Sequence, residues 1–97
     1  MFNYNYYVYI TTNPQRTVIY TGLTNDLKRR IIEHKNNRGN KNSFAGMYYC
    51  YDLVCFEFFT DVQYAIQREK QIKNMTRLKK IKLIEMHNPK WRTLILD

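Results

Sequence analysis

Residues 18–34 read VIYTGLTNDLKRRIIEH, and the rest of the chain is best read outward from them. Val18, Ile19, Tyr20 and Thr21 are β-branched or aromatic, so residues 18–21 predict a strand. Gly22 ends it, letting the backbone approach a substrate or turn tightly into a helix. Asn25 and Asp26 then offer side-chain oxygens that favour a helix start, and a helix is predicted over 26–36. With successive residues turning about 100° around a helix, Leu27 and Ile31 fall together. Arg30 and His34 lie on the same stripe beside them. Lys28, Arg29 and Glu33 point elsewhere, as solvated charges do. Arg30 and His34 are therefore polar groups on a face that should meet a core.

Upstream, residues 6–11 (YYVYIT) predict a strand, and residues 13–16 (NPQR) predict a turn. The first two strands thus form a hairpin. Alternation puts Tyr7 and Tyr9 on one face of the first strand, and Val18, Tyr20 and Gly22 on one face of the second. A hairpin brings Tyr9 and Tyr20 near each other. Downstream, residues 35–42 form a basic loop without periodicity. Residues 48–59 predict a long third strand with aromatics on both faces, as expected of a central strand covered on both sides. Thr60 and Gln63 have the spacing of a capping box for a second helix, which ends near residue 74. A third helix is predicted over 77–86, stopping near Asn88 and Pro89. Trp91 and Leu94 are expected to pack the tail back onto the body. The order is ββαβαα over one domain, residues 1–97. The fold class is α+β, a small, mostly antiparallel sheet with helices packed on it.

The second helix repeats the anomaly of the first. Val62, Ala65, Ile66 and Ile72 make an apolar stripe, and Glu69 lies within it. An ionised carboxylate without a partner is costly to bury, so Glu69 must meet a cation, a metal ion or an aqueous cleft. Two readings are open. Arg30 and Glu69 could pair with each other, with His34 a satisfied, half-buried histidine. Alternatively Tyr9, Tyr20, Arg30, His34 and Glu69 converge on one wet wall.

Sixteen Lys and Arg against eight Asp and Glu give a formal charge of +8, which suits an anionic partner. Charge does not distinguish DNA from RNA. Lys35, Arg38, Lys41, Arg77, Lys79, Lys80 and Lys82 are candidate backbone contacts that could together form a groove. Cys50 and Cys55 are expected on one strand, too far apart along it for a disulfide. Free, buried thiols fit a reducing compartment, and a cytoplasmic location is expected. Zinc-like ligand spacing is absent. The first ten residues lack a basic start and an apolar core, so no leader is predicted, and no apolar run is long enough for a membrane span.

These residues resemble the GIY-YIG nucleases, small stand-alone bacterial members above all. Tyr20-Thr21-Gly22 matches the second half of the family name. The run LTNDLKRRIIEH after it is similar to the family's short helix carrying Arg and His. Tyr7-Val8-Tyr9 stands where Gly-Ile-Tyr would, keeping the final Tyr and losing the leading Gly. Residues 65–91 resemble the helix pair and tail of the small members, so the likeness covers nearly the whole chain. It implies a three-stranded sheet flanked by helices, and hydrolysis of a DNA phosphodiester with one divalent ion, Mg²⁺ or Mn²⁺. It also implies roles: Glu69 at the metal, Arg30 near the scissile phosphate, Tyr9 and Tyr20 as the two tyrosines, one of them the base, and His34 as their helper. Structure-selective cutting or a repair role is implied by analogy. Other expectations are a nucleic-acid-binding module without catalysis, and a nuclease subunit that needs a protein partner for recognition.

Overall fold

The structure, a computed structural model, describes residues 5–96. Part of the N-terminal stretch read for a leader, residues 1–4, lies outside it. The elements are β1 (Tyr6–Thr12), β2 (Ile19–Thr24), α1 (Leu27–Asn36), α2 (Phe44–Met47), β3 (Asp52–Phe59), α3 (Val62–Lys73) and α4 (Arg77–His87). The ββαβαα order holds, with the short α2 as an addition between the first helix and the third strand. Its cap is Ser43, whose hydroxyl accepts from Gly46 N.

The sheet has the order β2-β1-β3 and both pairings are antiparallel. The central strand is therefore β1 and not the long third strand. Aromatics occur on both faces of β3 for a different reason. Phe56 and Phe58 stay 39% and 51% exposed and pack on the Tyr7 ring. Residues 48–51 precede β3 and do not extend it. Cys50 thus lies outside the strand; both cysteines are buried and free, as expected. Pairing passes from Ile10↔Cys55 to Thr11↔Leu53, which leaves Val54 as an extra residue, a bulge in β3.

The hairpin turn is held by Asn13, whose Oδ1 accepts from Thr17 N and Val18 N at 2.8 and 2.9 Å. Arg16 takes a left-handed backbone (φ 61°) and donates to Asp52, at 2.7 Å, and to the Trp91 carbonyl. This half-buried arginine ties the turn to β3 and to the C-terminal tail. The tail is further fixed by Leu94 N donating to Leu53 O, and by the Asn88 side chain donating to Val54 O.

Period-two alternation divides the sheet into two faces. Val8, Ile10, Val54 and Cys55 meet Ala65 and Ile72 of α3 and Leu83 and Ile84 of α4. Tyr9 and Leu53 meet Leu27 and Ile31 of α1, with Tyr20, Leu94 and Leu96 around them. One helix layer thus covers each face, α1 on one and α3 with α4 on the other. The α3 cap is Asp61, which accepts from Gln63 N at 2.7 Å, and not Thr60. A carboxylate one residue closer to the helix wins the cap, so the expected box does not form. Among the described residues no helix is long and apolar enough to cross a membrane.

Candidate active site

The site is built on the α1 face. Asp26 caps α1 by accepting from Arg29 N at 3.1 Å, which fixes the rotation of the helix. Leu27, Ile31 and His34 then face the sheet and are buried, with Arg30 half-buried at the margin. From below, β1 sends up Tyr9, which is 1% exposed. Its register partner on β2 is Gly22. A Cβ at position 22 would overlap the Tyr9 ring. Gly22 therefore lies within β2 and makes room for a tyrosine, in place of the tight turn expected of it.

The polar atoms form a chain. Arg30 Nε donates to Tyr9 Oη at 3.3 Å, and Tyr9 Oη lies 2.8 Å from His34 Nε2. Tyr9 Oη thus accepts from the guanidinium and shares a second hydrogen bond with the imidazole, whose direction follows the histidine tautomer. Tyr20 completes the group through ring contacts, 6.3 Å to Tyr9 and 5.5 Å to His34 between centroids. Arg30 Nη1 pairs with Glu33 Oε1 at 3.2 Å, one turn along α1. The helical stripe marks Glu33 only as a solvated charge; its three-residue spacing from Arg30 is the sequence signal for the pair.

The electrostatics keep this chain neutral at its buried end. Burial pushes the Tyr9 phenol up to about 12, against the Arg30 hydrogen bond that works to lower it. Burial, then the Arg30 charge, pulls His34 down to about 4, with Glu33 opposing. The hydrogen bond to Tyr9 raises Arg30 above its usual value. At neutral pH the site thus holds a protonated Tyr9, a neutral His34 and a cationic Arg30. Arg30 keeps 39% of its side chain exposed and so reaches water. It also lines an open hollow of about 430 Å³ with Tyr6, Leu23, Thr24 and Val62.

Four of the five expected site residues, Tyr9, Tyr20, Arg30 and His34, touch one another. Glu69 does not join them. It lies on α3, whose neighbouring Ala65 and Ile72 pack against the other face of the sheet. Its carboxylate stands 3.4 Å from Lys73 Nζ on the same helix. The alternative pairing of Arg30 with Glu69 is also not made, since Arg30 turns to Glu33. The hollow beside Arg30 reaches α3 at Val62, seven residues before Glu69, or roughly 10 Å along the helix axis.

A divalent cation asks for oxygen ligands, and the donor set here is sparse. Among the described residues no three His, Cys, Asp or Glu side chains cluster to hold one. Glu69 offers a single carboxylate, 19% exposed, beside a half-exposed lysine. That set fits an ion that keeps most of its waters and takes further oxygens from a substrate, as Mg²⁺ does. It does not fit a tightly held resident metal.

The candidate phosphate contacts fall on different layers. Lys35, Arg38 and Lys41 are exposed on the end of α1 and the loop after it. Lys79, Lys80 and Lys82 ride on α4, across the sheet. Arg77, which starts α4, donates to Thr17 O at 2.7 Å. Two aromatic residues next to the site escape sequence reasoning. Phe44 stacks on Tyr20 with centroids 6.2 Å apart, and Tyr48 stands 4.7 Å from Phe44. A short capped turn in an aperiodic segment gives no period to read.

Known proteins resemble this chain in sequence and fold. The family model for the GIY-YIG catalytic domain matches residues 5–82. This chain belongs to the GIY-YIG nuclease family. It is 41% identical over 78 residues to a UPF0213 protein of Clostridium perfringens, covering 80% of this chain and 81% of the relative. A UPF0213 protein of Staphylococcus saprophyticus is 37% identical over 79 residues, covering 81% and 93%. An archaeal one, from Haloquadratum walsbyi, is 39% identical over 80 residues, covering 82% and 86%. The solution NMR structure of a UPF0213 protein from Bacillus halodurans superposes with a TM-score of 0.55 at 28% identity, over 90% of this chain and 89% of that one. The chain is thus a small GIY-YIG member of a kind found in bacteria and archaea.

Proposed function

We propose that this GIY-YIG chain is an endonuclease that hydrolyses DNA phosphodiester bonds with the help of one Mg²⁺ or Mn²⁺ ion. The observation that carries the reading is the chain Arg30–Tyr9–His34, with Tyr20 beside it. A phosphodiester attacked by water gains negative charge in the transition state, and a fixed, half-exposed guanidinium offsets it. Tyr9 holds that guanidinium in place, and neutral His34 holds Tyr9. Tyr9, buried and protonated, positions Arg30 and does not itself take the water proton. Tyr20 is half-buried and nearer to solvent, so it is the tyrosine set to meet water or phosphate. Glu69 would hold the ion, which supplies Lewis-acid stabilisation of the same charge. Free, buried Cys50 and Cys55 suit a reducing compartment such as the cytoplasm.

The test uses plasmid, branched and single-stranded DNA with Mg²⁺ or Mn²⁺. Arg30→Ala should slow cleavage about 10²- to 10³-fold, the loss typical of removing one transition-state donor. Glu69→Ala should abolish cleavage and leave most DNA binding. Cleavage that survives both changes sinks the reading. One observation favours a second reading, a nucleic-acid-binding module without catalysis or a subunit completed by a partner: Glu69 pairs with Lys73 on its own helix, and Arg30 with Glu33 on its own. Binding without cleavage of any substrate, by the intact chain and by Glu69→Ala alike, would support it.

A further inference from the structure

The aromatic rings of the site continue outward in a direction that phosphate chemistry does not use. Phe44 opens α2 and lies against Tyr20 with ring planes 23° apart. Tyr48 closes on Phe44 at 50°. Yet Phe44 is 52% exposed and Tyr48 45%, so water touches much of both rings. Large apolar rings left wet beside a catalytic group call for an account other than core packing.

The turn that carries them is fixed. Gly39 N donates to Gly46 O at 2.8 Å, and Cys50 N donates to Ala45 O at 2.8 Å. Cys50 and Ala45 are buried. Gly46 packs so closely on the preceding loop that a Cβ there would meet Asn37 O at 2.8 Å. The same loop supplies positive charge: residues 35–51 contain Lys35, Arg38 and Lys41 and no carboxylate. A rigid pair of exposed rings, one ring removed from Tyr20 and joined by backbone hydrogen bonds to a purely cationic loop, matches the chemistry of an unpaired nucleotide. Every base has a flat face that stacks on an aromatic ring, and the cations meet its phosphates. In a continuous duplex those faces are already covered by neighbouring bases.

We propose that Phe44 and Tyr48 form a stacking platform for an unpaired base of single-stranded DNA, one whose adjoining phosphate reaches Arg30 and Tyr20. The phosphate contact rests on the nuclease reading; the platform itself is a binding site and is tested without cleavage. The substrates it selects are single strands, flaps or splayed ends rather than unbroken duplex.

The experiment measures fluorescence anisotropy of a labelled short oligothymidylate, and of a duplex of equal length, in EDTA. The single strand should bind more tightly. Phe44→Ala should weaken single-strand binding roughly 5- to 100-fold, the range of losing one base stack, and change duplex binding little. Because stacking releases no counterions, that factor should stay constant as salt rises, whereas Lys35→Ala should lower the salt slope by about one. Phe44→Leu keeps apolar bulk without a flat face and should lose affinity too, while Phe44→Trp should retain it. An oligomer of abasic sites should bind the wild type and Phe44→Ala equally. If Phe44→Ala fails to fold by circular dichroism, Phe44→Leu and Tyr48→Ala carry the same expectation.

Wild-type affinity in Phe44→Leu, equal binding of duplex and single strand, or a wild-type dimer dispersed by Phe44→Ala would overturn the platform, the last by making the patch a contact between copies. Absence of cleavage with Mg²⁺ would overturn the nuclease reading and leave the platform standing on its binding data. Cleavage of duplex and single strand at equal rates would do the reverse.

Discussion

On one side of β1, Val8 and Ile10 meet Ala65, Ile72, Leu83 and Ile84, an aliphatic centre with Tyr6, Phe59 and Trp91 at its margin. On the other, Tyr9 meets His34, Arg30 and Tyr20, and polar atoms run through the cluster. The two faces share a backbone and differ in how each is made stable. The aliphatic face gains from removing apolar surface from water, with no direction demanded of any group. The tyrosine face must also find partners for its buried polar atoms: Arg30 donates to Glu33 and to Tyr9, and Tyr9 is hydrogen-bonded in turn to His34. Such a network demands set geometry and is pre-organised. It also makes the site face sensitive to pH through His34.

The largest expected effect tests whether the faces divide stability from chemistry. Ile84 of α4 is fully buried against the sheet, and Ile84→Ala should cost about 2–5 kcal/mol in urea unfolding. Cleavage per folded molecule should not change. Tyr9→Phe should do the opposite, costing about 1–3 kcal/mol for the lost partner while removing most cleavage. A loss of cleavage in folded Ile84→Ala protein would show that the two faces act as one unit.

Acid sharpens the contrast. His34 titrates at about 4 in the fold against an ordinary 6.5, so the unfolded chain takes up the proton first. Its contribution is fully present above the ordinary value and is lost as pH falls toward the folded one. The full loss is about 3 kcal/mol, from the two values at about 1.4 kcal/mol per unit. Stability measured from about pH 7 down to about pH 5 should fall in the native chain and stay flatter in His34→Gln, since most carboxylates titrate lower. Parallel curves for the two proteins would mean that His34 is not held neutral.

The smallest effect concerns the seat of Tyr9. Gly22→Ala puts a methyl group into the Tyr9 ring and should cost about 1–3 kcal/mol, the usual range for overpacking. Combining it with Tyr9→Leu should recover part of that loss, since neighbours in contact are not additive. Purely additive costs would mean that Gly22 serves its own backbone and not the ring.

Much of the α1 face is legible in the sequence. The stripe of Leu27, Arg30, Ile31 and His34, and the shared faces of Tyr7 with Tyr9 and Tyr20 with Gly22, follow from periods of 3.6 and 2. The resemblance to GIY-YIG nucleases names the same residues, and the matching family model is the same family. Other features are not legible. Aromatic density on β3 suggests a central strand, because composition records how apolar a strand is and not what lies beside it. Asp61 takes the cap expected of Thr60, a choice made by the local path of the backbone. Phe44 lies in a segment too short for any period, and its ring acquires meaning only from its place against Tyr20.

The sequence by itself determined which way each side chain leaves its own helix or strand, because that direction repeats with the geometry of one element. Only the tertiary structure decided which strand sits in the middle, that Gly22 lies opposite Tyr9, that Tyr9 meets His34, and that Glu69 belongs to the other layer. Those are facts of pairing and packing between segments far apart in the chain, set by the burial of the whole and carried by no local pattern.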